Sequence, residues 1–194
     1  MYKITLHGEV PHGDYDTDIA YEFAMKVEQH LHTMTEQLNI SDMLKVVRDV
    51  GNKDALEVIK GAQRDGTNIL LRSTTYYHDE EVLYGVRPYL TFSSFDATML
   101  VPEITLQYDR EHIDYGIAAA TNMTGYYNAK NGLTAVTICV GNYHSTADVM
   151  KMSKYLPSLA RATATGLMRY AVNWLMTPPP PTAIGEPLKR EVVA

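Results

Sequence analysis

Apolar side chains recur along the chain at two periods. Between Ile19 and Leu38 they fall at Ile19, Phe23, Val27, Leu31, Met34 and Leu38, every third or fourth residue, which is one stripe of an amphipathic helix. Acidic residues crowd its first turn, where the helix macrodipole favours them. Before it, "YKITLHGEV" alternates imperfectly through Ile4, Leu6 and Val10 and reads as a strand ended by Pro11 and Gly13.

After it, Ser41 as a cap and Gly51 as a stop predict a second helix in "DMLKVVRDV". Asp54 and Glu57, in capping-box spacing, predict a third in "DALEVIKGA". "TNILLRSTT", "EVLYGVRPYLTFSSF" and "MLVPEITLQY" bring β-branched and aromatic residues in alternation. They read as antiparallel strands, with Pro88 and Pro102 at edges or bulges.

The segment 109–132 fits either a short helix and loop or two irregular turns. "LTAVTICV" is a buried strand, rich in β-branched residues. "STADVMKMSKYL" and "PSLARATATGLMRYAVNWLM" predict two C-terminal helices, the second with proline in its first turn, where a missing N–H costs nothing. Strand, helices, several strands and helices together predict an α+β fold: a mainly antiparallel sheet with N-terminal and C-terminal helices on one face. The expected organisation is one domain over 1–176 and, over 177–194, an extended proline-rich arm, since four consecutive prolines favour polyproline II.

Composition adds limits. The 194 residues are 45% hydrophobic and 21% charged, a globular balance that excludes global disorder. The single cysteine, Cys139, excludes an internal disulfide framework and a cysteine-based zinc site within one chain; in "AVTICV" it reads as a small core hydrophobe. No signal peptide or transmembrane helix is evident, so the expected location is the cytoplasm or a virion.

The net charge of −6 is unevenly placed: residues 1–116 carry 20 acidic and 10 basic side chains, a balance of −10, and residues 117–194 carry 3 and 7, a balance of +4. From 115 to 185 the only carboxylate is Asp148. The cations there are scattered, so nucleic acid is not an expected partner.

Candidate chemistry is concentrated in "HGEVPHGDYDTD", residues 7–18. His7, Glu9, His12 and Asp14 supply the imidazole and carboxylate donors that a divalent metal takes, and a strand-to-helix loop is able to gather them. The spacing matches no metal motif: the calcium-loop pattern starting at Asp14 fails at Ile19 and Met25, where glycine and glutamate are required. An acidic, helix-capping loop is the plainer reading. Glu28 and His32, four apart, read as a surface helix pair. Nucleotide-binding and nucleophile-elbow motifs are absent.

The 14 tyrosines include the pairs Tyr76, Tyr77 and Tyr126, Tyr127 in polar settings, which suit surfaces buried in a complex. With the carboxylate-poor stretch and the arm around Pro178, Pro179, Pro180 and Pro181, they lead to an expected function. It is a non-enzymatic structural subunit of a larger assembly, such as a virion or phage particle, a homo-oligomer without cofactor. The rival readings are a metal-dependent hydrolase built on His7, Glu9, His12 and Asp14, and a small acidic adaptor or inhibitor of another protein.

Overall fold

A computed structural model of the chain describes residues 1–9, 19–49, 54–77, 87–92, 95–119, 133–143 and 145–176. The strands among them are β1 (Tyr2–Gly8), β2 (Leu44–Asp49), β3 (Ile69–Tyr77), β4 (Tyr89–Phe92), β5 (Gly116–Ala119) and β6 (Thr134–Tyr143). The helices are α1 (Ile19–Gln37), α2 (Ala55–Arg64), α3 (Phe95–Arg110) and α4 (Thr146–Met176). None of these helices is long and apolar enough to cross a membrane.

The strands form one sheet in the order β2-β1-β3-β6-β4-β5. The first four of that order run parallel, whereas β4 pairs antiparallel with β6 and carries β5 parallel to itself. This is an α/β fold, which corrects the expectation of an α+β fold with an antiparallel sheet and helices on one face only. Two elements belong to the class opposite to the one their local pattern predicts. "DMLKVVRDV" holds a strand, and its period is two: Leu44 and Val46 are buried while Lys45 between them is exposed. "MLVPEITLQY" lies inside α3, where Ala97, Leu100, Val101, Ile104 and Tyr108 are buried at helical spacing despite Pro102. The two C-terminal helices are one, α4, which runs through Pro157.

The chain steps from β1 to β2 on one side, then back across β1 to β3 on the other. Right-handed crossovers in opposite directions put their helices on opposite faces. Accordingly α1 covers the front of the sheet with α3 and α4, and its Phe23, Val27 and Leu31 are buried in the main core with Ile4, Leu6, Ile69, Leu71, Val136 and Ile138. On the back, Val58, Ile59 and Ala62 of α2 cover Leu70 and Ala135.

Each fully buried aliphatic or aromatic side chain contributes roughly 1.5–3 kcal/mol, so the front layer dominates stability. Residues Gly61 and Arg64 of α2 border an open surface depression, and the helix depends more on its ends. Asp54 caps it, accepting from Glu57 N at 2.8 Å. Asp54→Ala is expected to lower stability by about 1 kcal/mol, read from the midpoint of a urea transition; an unchanged midpoint would remove the cap from the account.

Helix ends on the front are closed by left-handed residues. Asn39 (φ 53°) follows α1, with Ile40 N donating to Thr35 O at 3.0 Å. His112 (φ 54°) follows α3, with Ile113 N donating to Tyr108 O at 2.9 Å.

Candidate active site

In open α/β sheets the crevice for a ligand forms at the carboxyl ends of neighbouring parallel strands whose connections leave in opposite directions. Here those strands are β1, which departs toward β2, and β3, which departs toward the β6 side. The two are locked together at this end. Glu9 N donates to Ser73 O at 2.9 Å, and Ser73 Oγ donates to Ala20 O at 2.9 Å, tying β3 to the start of α1. Gly8 lets α1 sit directly on the strand, for a Cβ there would lie 2.7 Å from the Tyr21 Cα.

Alternation along β1 puts Thr5, His7 and Glu9 on the back of the sheet. On β3 the same face receives Arg72 and Thr74. Glu9 therefore meets its partners across one strand spacing: Thr74 Oγ1 donates to Glu9 Oε2, and Arg72 Nη2 lies 3.8 Å from Glu9 Oε1. The Arg72 side chain is only 15% exposed, and its Nε is buried with no hydrogen-bond partner among the described residues. A desolvated guanidinium beside a carboxylate that reaches solvent can pair with a second, incoming negative charge.

His7 is 1% exposed, one register step deeper, opposite Asp49 on β2 and Arg72 on β3. Its Nδ1 is 3.5 Å from Asp49 Oδ2, and the carboxylate is partly exposed. The row beyond it runs from Glu9 through Thr74 to Cys139 of β6 and Tyr89 of β4. Cys139 is buried with its thiol 3.5 Å from Gly141 O, the core setting its neighbours in sequence imply.

Of the sequence-derived candidates, His7 and Glu9 thus share a face at the crevice, while His12 and Asp14 lie outside the described residues. Among the described residues no cluster of three or more His, Cys, Asp or Glu side chains is able to hold a metal ion. Glu9 is engaged by Arg72 and Thr74, and His7 faces Asp49, so the described part of the set does not fit a metal by itself. Tyr76 and Tyr77 pair through their backbones with Asn142 and Tyr143 at the end of β3. Tyr126, Tyr127 and Pro178 to Pro181 lie outside the described residues. Glu28 is 3.9 Å from the exposed His32 and 3.0 Å from the part-buried Arg48 Nε, whose Nη1 donates to Tyr21 Oη at 2.9 Å; this ties α1 to β2.

Arg72, Thr74 and Asp49 were not anticipated. One sign of the first was available: Arg72 interrupts the apolar run "NILLRSTT", and a cation inside a buried strand needs a partner.

No protein-family profile and no curated protein matches the chain. Solved structures do. An N-acetylmuramoyl-L-alanine amidase from Clostridium difficile 630 superposes with a TM-score of 0.68 over 88% of this chain and 97% of its own, at 14% identity. The fold is that of the N-acetylmuramoyl-L-alanine amidases. The catalytic domain of such an amidase, CwlV, from Bacillus (Paenibacillus) polymyxa gives 0.65 over 89% and 99%, at 13% identity. Ami1 from Mycobacterium smegmatis gives 0.64 over 89% and 97%, at 12% identity.

The amidase fold overturns the expectation of a non-enzymatic assembly subunit: the solved structures that share this architecture are N-acetylmuramoyl-L-alanine amidases. Two of the features behind that expectation have internal explanations. The carboxylate-poor stretch contains β6 and α4, and α4 buries Met152, Leu156, Leu159, Ala160, Thr163, Ala164 and Leu167 against the chain's own helices and sheet. The opposed charges of the two halves meet within one molecule, as Arg161 to Glu111 at 2.6 Å and Arg169 to Glu103 at 3.0 Å.

Proposed function

We propose that this chain is a hydrolase of amide bonds in peptidoglycan, acting where β1 and β3 end. The observation that carries the reading is the likeness to amidases over 88% of the chain at 14% identity, with a carboxylate and a desolvated arginine at that fold's crevice. Hydrolysis of an amide needs a base to take a proton from water and a positive group where the carbonyl oxygen gains charge. Glu9, at 37% side-chain exposure, is the base. Arg72 steadies the Glu9 carboxylate and adds positive charge close to where negative charge develops. Thr74 fixes the direction in which Glu9 points, and His7 with Asp49 supports the crevice from below.

A divalent cation enters this reading through His12 and Asp14, which follow Glu9 closely in the chain and would have to complete the donor set. When bound it would polarise the scissile carbonyl.

The test is incubation of the purified chain with purified peptidoglycan, following new L-alanine amino termini and new reducing sugar ends separately. Alanine amino termini should appear without reducing ends. Their absence after addition of zinc or manganese would overturn the reading. The metal content of the purified protein, compared with that of His12→Ala, decides whether a cation belongs to the site: binding lost in the variant places His12 among its ligands.

A further inference from the structure

A carboxylate at the mouth of a crevice can take a proton from water or bind a divalent cation, and the groups around it decide which. Glu9 has two such groups on β3. Thr74 Oγ1 donates to its Oε2, and Arg72 Nη2 stands 3.8 Å from its Oε1. A carboxylate offers about four lone-pair sites, and the Glu9 side chain is 37% exposed, so water still has a place to donate.

A divalent cation does not have the same freedom. Bound to Glu9 it would sit about 2.0–2.2 Å from a carboxylate oxygen, and its two positive charges would stand close to the guanidinium. Arginine stays protonated in proteins, so that repulsion cannot be relieved by losing a proton. Nor can Arg72 swing aside easily: β3 is an interior strand, with His7 of β1 and Thr137 of β6 opposite Arg72, and the side chain is only 15% exposed. Little water reaches it to screen the charge. His7, the candidate donor one step deeper, is buried and turns Nδ1 toward Asp49 Oδ2 at 3.5 Å.

We propose that Arg72 is a positioning residue that keeps Glu9 a proton acceptor by barring a divalent cation from its carboxylate, and that a chain without the guanidinium binds such a cation through Glu9. The role of Glu9 as proton acceptor rests on the amide-hydrolase reading; the exclusion of the cation does not. Among the described residues the ion pair of Arg72 is with Glu9 alone, so the guanidinium acts on this one carboxylate. A cation taken up by the wild-type chain through other donors is held without Glu9.

Isothermal titration of the full chain with zinc alone, after treatment with a chelator and its removal, tests this. Arg72→Met should bind zinc at least about tenfold more tightly than wild type, because a fixed positive charge next to the carboxylate is gone. Arg72→Lys keeps the charge and should stay near wild type. The gain should vanish when Glu9→Gln is added to Arg72→Met, and Glu9→Gln alone should leave the wild-type affinity unchanged. A purely structural role for Arg72 would lower the melting temperature of Arg72→Met with no gain in zinc affinity, and that result overturns the assignment. So does weaker zinc binding by Glu9→Gln than by wild type, a measurement that needs no change at Arg72 and decides even where Arg72→Met does not fold. Hydrolysis of peptidoglycan by the wild-type chain is scored separately. Hydrolysis with no zinc gain in Arg72→Met overturns the exclusion alone; a zinc gain that depends on Glu9, with no hydrolysis by wild type, upholds the exclusion and removes the catalytic reading.

Discussion

Glu9→Gln should lower the rate of amide cleavage by about 100- to 10,000-fold, the range over which a positioned general base acts. The substitution keeps the shape of the side chain and leaves an oxygen to accept from Thr74 Oγ1, so the crevice stays assembled. What it removes is the capacity to take a proton and the negative charge beside Arg72. Arg72 is only 15% exposed and loses its counter-charge, so a stability loss of about 1–3 kcal/mol should accompany the change. Thr74→Val, by contrast, leaves the base and removes only its hydrogen bond; it should cost far less in rate. Initial rates of alanine amino-terminus release, with melting curves of the same samples, decide between the roles. A Glu9→Gln variant within threefold of wild type would show that Glu9 is not the base. A Thr74→Val loss as deep as that of Glu9→Gln would mean that the pair acts only as a structural tie between β1 and β3.

The crevice was half legible in the sequence, and the reason lies in how parallel sheets are built. His7 and Glu9 announce themselves because alternation along one strand is a local pattern. Their partners come from elsewhere: Arg72 and Thr74 stand on a strand more than sixty residues away, and Asp49 on another. No local period reports which strands become neighbours. The same limit governed the fold. Strands β1, β3 and β6 and helices α1 and α2 follow from period and caps. β2 and α3 exchange their classes because each carries one misleading signal. Ser41 and Gly51 frame β2 as though it were a helix, and Pro102 with Val101, Ile104 and Thr105 makes α3 look like an edge strand. Those two errors hide the strand-helix alternation from β1 to β3, which is the mark of parallel α/β architecture. "LTAVTICV" carried the same message, since a continuous apolar run suits a parallel strand covered on both faces.

Two helical glycines should respond to the same substitution with opposite sign. In an open helix Gly→Ala stabilises by roughly 0.5–1 kcal/mol, because alanine restricts the unfolded chain and glycine does not. Gly61 in α2 meets this condition, for a Cβ there finds nothing within 4 Å. Gly166 in α4 does not: its Cβ would lie 2.5 Å from Ile104 Cα, 2.8 Å from Glu103 O and 2.8 Å from Ile104 N, all backbone atoms of α3. No rotamer change relieves contacts with a main chain, so the two helices must separate. The separation strains what flanks the crossing, the hydrogen bond of 2.7 Å between Tyr108 Oη and Thr163 Oγ1 and the ion pair of Arg169 with Glu103 at 3.0 Å. Tyr108 is fully buried, and leaving its hydroxyl without a partner costs about 1–3 kcal/mol on top of the overpacking, itself about 1–3 kcal/mol. Gly166→Ala should therefore lose about 2–6 kcal/mol in urea unfolding, a large part of the stability of a chain this size, while Gly61→Ala gains. If Gly166→Ala were neutral, α3 and α4 would not cross with their backbones in contact. The packing that holds the front layer would then need a different account.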